Sequence, residues 1–364
     1  MKKLKKYLLP FFIWCVVAGY IACAVAVSHR RLPETVVQSV EIDIADSSEN
    51  RRLVTDQMVR EWLLRGNVRT VGATVGEIDF AAVERLIAGN GFVADVSAYA
   101  AVNGVLYIDI RQRRPLVRII TDGYNVYSTD NGFVFSTPLA STIYVPVVTG
   151  SYRPPFPPDF NGSAAAYADE RVEGCMSRIR SIEKSISDSL SRRREKAAKV
   201  KSMDREISRM KRRWYLFESE SDLNDRKDGE WRRREKESDT VRMLDEYLAR
   251  AETERAAERR VLKKELKERD DFAKLINFVE MIEEDDFWSA EIVQIVADLR
   301  PNGALSLELV PRSGSFRIAF GSPDGAEKKL AKLLRFYREG LSRVGWNTYS
   351  TINVGYDGLV VCRK

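Results

Sequence analysis

The chain has 364 residues, enough for two or more ordinary domains, and a net charge of +6 from 59 Lys and Arg against 53 Asp and Glu. Acidic residues are interspersed with the basic ones almost everywhere, so the charge reads as Arg-rich helices rather than a polyanion-binding surface. A single histidine, His29, and four cysteines without CxxC or Cys/His spacing indicate neither a zinc site nor a disulfide framework, and they leave Ser–His and Cys–His catalysis without a suitable base; a carboxylate-pair hydrolase is not excluded this way.

Residues 1–6 hold Lys2, Lys3, Lys5 and Lys6, and residues 7–28 then run without a charge. A helix of that length is about 33 Å long and spans a hydrocarbon core of about 30 Å. One transmembrane helix is therefore expected at residues 7–28. The lysines and terminal amine outweigh Arg30 and Arg31, which places the short end in the cytoplasm and the long part outside it. A cleaved signal peptide with small residues at Ala22–Ala26, and a lipoprotein modified at Cys23, remain as alternatives.

The segment Val36–Ile44 alternates as a half-buried strand. Thr55 is placed to cap a helix with Met58, Val59, Trp62 and Leu63 on one face and Gly66 as its stop. Asp79 starts a second helix through Val83, Leu86 and Ile87. Strands at Phe92–Val102 and Val105–Gln112 are joined by Asn103-Gly104, a strong hairpin signal. Residues 36–115 thus read strand, helix, helix, strand, strand, which is one small domain.

Short strands follow at Leu116–Thr121, Tyr124–Ser128, Gly132–Ser136 and Tyr144–Thr149, until a proline-rich stretch near Arg153–Pro158 closes residues 116–158. From 164 to 271 the composition becomes highly charged. Val172, Ile179, Ile186, Val200, Ile207 and Trp214 share one heptad register that Arg193 interrupts; Met176, Leu190 and Ala197 share its partner seam, interrupted by Glu183 and Asp204. Glu218–Gly229 reads as a turn, and Val241, Leu244, Leu248, Ala251, Leu262 and Phe272 mark a returning helix. The expectation is an antiparallel helical hairpin with arms of roughly 60 Å.

Residues 272–364 continue with a helix through Phe287, then strands at Ile292–Ala297, Leu305–Val310 and Phe316–Phe320. An amphipathic helix covers Ala326–Gly340, with Gly340 as its stop. The last strands are expected at Asn347–Val354 and Leu359–Cys362, with no cover from the chain's own sequence beyond them. Asp285, Asp286, Asp298 and Glu308 are carboxylates at strand and helix ends with no convergent motif, and no glycine pattern fits a phosphate loop. The fold class is α+β: one transmembrane helix, a small mixed domain, and a strand-rich β domain interrupted by a long coiled-coil-like hairpin.

This plan resembles the bacterial cell-division family FtsQ/DivIB. The stretch IAGNGFVADVSAYAAVNGVLYIDIRQRRP, Ile87–Pro115, is similar to the family's segment ending in Arg-Glu-Pro, with Arg114 at the Glu position. YNVYSTDNGFVF, Tyr124–Phe135, resembles its next hairpin. GSFRIAFG, Gly314–Gly321, and TINVGYDGLVVCRK, Thr351–Lys364, resemble its C-terminal strands, above all in the form of Bacteroides-like bacteria. The charged hairpin is outside the family pattern and reads as an insertion.

The resemblance implies that residues 36–115 are a POTRA-like domain. It also implies a non-enzymatic divisome scaffold of the inner membrane at the septum, with a periplasmic C-terminus, no cofactor, no metal and no nucleic acid. By the family's motif, Tyr356, Gly358, Leu359, Val360 and Val361 are the partner-binding strand for FtsB- and FtsL-like proteins. It leaves open that other divisome membrane proteins bind at the POTRA-like domain. An exposed last strand suits strand addition, with Tyr356 as an aromatic anchor. Gly358 reads either as a place for a partner backbone or as a turn residue. Two other readings stand: a POTRA-containing envelope assembly or translocation factor, and a membrane-anchored envelope hydrolase.

Overall fold

The computed structural model describes residues 14, 16–21, 32–45, 53–136 and 144–364. The expected membrane span lies outside the described residues, apart from 14 and 16–21, which are helical and exposed. Among the described residues no helix is long and apolar enough to cross a membrane. The chain divides into two compact units: the second holds Pro154–Phe156 and Ala164–Ala273, and the first holds the rest.

In the first unit, β1 (Ser39–Ala45) lies parallel to β3 (Val105–Gln112), which pairs antiparallel with β2 (Val93–Ala100). Both expected caps are present. Thr55 accepts from the Met58 N–H at 3.3 Å ahead of α1 (Asp56–Arg65), and Asp79 accepts from the Ala82 N–H at 3.0 Å ahead of α2 (Phe80–Ala88). Their apolar faces bury Val59, Leu63, Val83 and Ile87 against Leu106, Ile108 and Ile110 of the central strand. The same cluster contains Tyr127 and Phe135 from the following strands. Phe92 meets Phe135 edge-on with ring centres 5.6 Å apart.

The second sheet of this unit has ten strands in the order β13-β12-β11-β10-β9-β7-β4-β5-β6-β8. They are β4 (Pro115–Thr121), β5 (Tyr124–Thr129), β6 (Phe133–Ser136), β7 (Val147–Thr149), β8 (Gly162–Ser163), β9 (Ile292–Leu299), β10 (Leu305–Pro311), β11 (Arg317–Gly321), β12 (Thr351–Asn353) and β13 (Val361–Arg363). The strands before and after the hairpin join in one place, where β7 runs parallel to both β4 and β9. Gly150 follows β7 at φ +112, Tyr152 N–H donates to the Ala297 carbonyl at 3.0 Å, and Asp298 accepts from Ser151 N–H at 2.8 Å and Oγ at 2.7 Å. Period-two alternation buries Leu305, Leu307 and Leu309 of β10 and Ile318 and Phe320 of β11 on one face. Phe278 packs on Phe320 at 4.8 Å between ring centres, and α6 (Ala326–Phe336) buries Leu330 and Leu333.

Several boundaries differ from the sequence expectation. The helix entering at Phe272 stops at Glu284, because Asp285 caps a new helix, α5 (Asp286–Glu291), accepting from Phe287 and Trp288 N–H at 2.9 and 3.0 Å. Gly340 does not stop the next helix. It lies in a π-helical turn, Tyr337–Leu341, and helical geometry ends only at Gly345, φ +98. A Cβ on Gly340 would sit 2.7 Å from the Phe336 ring, so ring packing is what this glycine serves.

The second unit is the antiparallel hairpin. Helix α3 (Ala164–Arg209) and helix α4 (Glu220–Glu284) form its arms, and α4 leaves the unit after Ala273. Val172, Ile179, Ile186 and Ile207 are buried as the heptad expects, and Val200 is half-buried. The charged residues that interrupt the seams each bind the other arm: Arg193 to Asp245 at 2.7 Å, Glu183 to Arg259 at 2.8 Å, Asp204 to Arg234 at 2.9 Å. Such half-exposed pairs add little stability each, yet they fix register.

The turn is not at Glu218–Gly229. Ser219 and Asp222 exchange hydrogen bonds in a capping box, with Ser219 N–H to Asp222 Oδ2 at 3.0 Å and Asp222 N–H to Ser219 Oγ at 3.1 Å, so the helix starts at Glu220 and absorbs the polar stretch. The reversal is instead residues 210–219, around a 3₁₀ turn at Trp214–Leu216. Trp214 therefore leaves the seam and is exposed. Phe217 adopts a left-handed conformation, φ 49 and ψ 33, at a cost of about 1 kcal/mol.

Glu237 accepts from Lys199 at 2.6 Å and Lys196 at 2.9 Å, and these contacts hold its carboxyl below the ordinary 4.5. A depressed carboxyl stabilises the fold above its unfolded pKa, and that contribution disappears as pH falls through the folded value. Thermal melts followed by circular dichroism should show the hairpin weakening below about pH 4.5. In Glu237→Gln that part of the acid loss should be missing; an unchanged acid profile would mean the pair contributes nothing.

The candidate strand edge

Strand β13 is outermost in the ten-stranded sheet, and no further strand pairs with it among the described residues. It runs antiparallel to β12, matching Thr351 with Arg363, Ile352 with Cys362 and Asn353 with Val361. The buried Ile352 and the half-buried Cys362 share the core face, and burial pushes the Cys362 thiol pKa up. Val361 shares the opposite face with Asn353 and is exposed. An outermost strand presents backbone groups that the sheet does not use.

Both strands are shorter than the expected Asn347–Val354 and Leu359–Cys362. Only Thr351–Asn353 has a paired strand on each side. Gly358, at φ +70, extends the preceding turn, so pairing starts at Val361 and Val360 lies just before it, half-buried. Nothing stands within 4 Å of a Cβ built on Gly358, so its requirement is the positive φ of a turn. Tyr356 and Leu359 project outward, 57% and 64% exposed. Of the five expected residues only Val361 is therefore on the paired edge, the other four lying in the turn that leads to it, and three of the five are exposed large apolar side chains.

Two residues outside the expected set hold this loop. Lys332 of α6 donates from Nζ to the Val354 carbonyl at 2.9 Å and also to the Tyr356 carbonyl. Asn353 Oδ1 accepts from the Gly355 N–H at 2.9 Å. Asn353 has a turn-chemistry signal in sequence, whereas Lys332, 24 residues before Tyr356, is found only in three dimensions.

Beside Tyr356 a cavity of about 300 Å³ on the open sheet face is lined by Asp298, Arg300, Glu308, Gly321 and Asn353 among others. It brings Asp298 and Glu308 together, which the sequence did not. Asp298 is engaged by Ser151, and Glu308 by Arg317 at 2.8 Å. Asp285 is a helix cap and Asp286 is exposed in the first turn of α5. Among the described residues no group of three or more His, Cys, Asp or Glu is placed to hold a metal ion.

Residues 243–363, which include the whole of the edge and its supporting strands β9–β12, match the family described as FtsQ/DivIB, C-terminal related. Residues 35–111, which hold β1, α1, α2, β2 and most of β3, match the one described as POTRA-like domain. The first match begins inside α4, upstream of residue 272, so the returning arm of the hairpin enters the matched stretch. Comparison with curated proteins gives no match. A POTRA-like unit ahead of this C-terminal sheet is the arrangement its sequence resembled, and the two matches together support an FtsQ/DivIB family protein.

Proposed function

We propose that this protein is a divisome scaffold that joins cell-division proteins at the septum through an exposed strand edge. FtsQ/DivIB proteins are non-enzymatic scaffolds, which supports reading the chain the same way. In this reading residues 7–28 anchor it in the inner membrane, and the described domains lie in the periplasm. FtsB- and FtsL-like partners add a strand to β13, contacting Tyr356, Leu359, Val360 and Val361, while Gly358 shapes the turn that presents them. The POTRA-like domain is then the surface for other divisome membrane proteins. The observation that carries the reading is the outermost position of β13 inside the family-matched region.

Depletion in the native host should give filaments with unconstricted septa. A chain truncated after Tyr356 should fail to restore division while still reaching the membrane fraction. Normal division on depletion would remove the scaffold reading, and full rescue by the truncated chain would remove the strand edge from it.

A further inference from the structure

The turn between α3 and α4 belongs to no strand edge and lies outside both family-matched segments. It presents four consecutive large apolar side chains to solvent: Trp214, Tyr215, Leu216 and Phe217, the first 84% and the last 96% exposed. Within the run the one ring contact is Trp214 edge-on to Tyr215, centres 6.2 Å apart. Folding gains nothing from placing Phe217 in a left-handed conformation with its ring in water.

The charges around the run are sorted. Glu218 turns inward, accepting from the Arg213 N–H at 2.6 Å and pairing with Arg226 at 3.0 Å, and these contacts lower its carboxyl pKa. Arg226 also donates to the Lys211 carbonyl at 3.2 Å, and Arg212 Nε to the Glu218 carbonyl at 3.2 Å. Glu218 is thereby neutralised and the backbone fixed, while the acids that follow, Glu220 and Asp222, lie in the first turn of α4, where Asp222 is held by Ser219. Lys211 and Arg213 keep exposed side chains, with no salt bridge of their own among the described residues.

Trp and Tyr favour the headgroup level of a bilayer, and adjacent Lys and Arg favour anionic lipid. A protein groove takes anchors spaced along one helix face, whereas consecutive side chains fanned around a turn suit a planar, fluid surface. We propose that residues 210–219 are a lipid-binding tip, with Trp214–Phe217 entering the headgroup region and Lys211 and Arg213 contacting anionic phosphates.

The test uses the full chain reconstituted in vesicles, with a photoreactive phenylalanine analogue at position 217 or, as a control, at the exposed Met243 on the α4 arm. Vesicles are phosphatidylcholine with or without phosphatidylglycerol. The expected result is a lipid adduct at 217 on the anionic vesicles, little at 243, and little at 217 on pure phosphatidylcholine. Each basic residue near such a surface is worth about fivefold in binding, so Lys211→Ser with Arg213→Ser should lower the yield about 25-fold. Helicity measured on each variant separates this loss from unfolding. Equal yields on both lipids, equal yields at 217 and 243, or adducts to protein alone would each overturn the proposal, the last in favour of a protein partner.

Discussion

Val360→Pro is expected to abolish recovery of FtsB- and FtsL-like partners while the sheet stays folded. Val360 precedes the first paired residue of β13, Val361, so proline there leaves the register with β12 in place. It removes one backbone donor and fixes φ near −65° at the point where an added strand would enter. Strand addition draws its affinity chiefly from backbone bonds, so losing the entry geometry blocks the whole ladder rather than one contact. Tyr356→Ala removes an exposed ring without touching the backbone, and should weaken binding by about 1–3 kcal/mol, or roughly five- to 150-fold. Circular dichroism must accompany the pull-down. A folded Val360→Pro protein that recovers its partners undiminished would show that the edge is not their site.

Gly150→Ala should cost on the order of 3 kcal/mol of stability in the unit that contains both sheets. A Cβ on Gly150 would lie 2.3 Å from the Ala297 carbonyl oxygen and 2.9 Å from its carbon. Both are backbone atoms of β9 and cannot swing aside as a side-chain end would. Relief would need the chain after β7 to back away from β9, at the one junction between the strands on either side of the hairpin. For a unit of this size the thermal midpoint should fall about 6–12 °C. Gly123→Ala is the comparison: it shares a positive φ, +79, but has nothing within 4 Å, and should cost only about 1 kcal/mol. Equal melting of the two variants would show that the junction is not under the constraint described.

Local signals were legible where the physics is local. Thr55 and Asp79 cap the helices they announce, Asn103-Gly104 joins β2 to β3, and the Val172–Ile207 heptad is buried. The misreadings arise where two local signals compete. Ser, Asp, Asn and Gly at 219–229 look like a turn by composition, yet Ser219 and Asp222 at capping-box spacing start a helix that carries the rest, Gly229 included. Gly340 looks like a stop, but its lack of a Cβ is used by Phe336. The parallel pairings β1–β3 and β7–β9 have no local signature, because they join residues far apart in the chain. At the candidate site the sequence suggests a strand from Leu359, whereas pairing begins only at Val361. The start of pairing and the Lys332 tether depend on a neighbouring strand and helix that no short window contains.

The hairpin also bears on how the chain can fold at all. Ser151 and Asp298 meet at the β7–β9 junction although 147 residues separate them. Closing so long a flexible loop costs about 2 kcal/mol more in chain entropy than closing one of about ten residues. A hairpin built from near-neighbour contacts needs no such closure, and its pairing of Asp169 with Arg269 already returns the chain to its point of departure. If it folds first, the distant encounter between the two strands becomes a nearly local one, and the order in which the two form is then set by chain entropy.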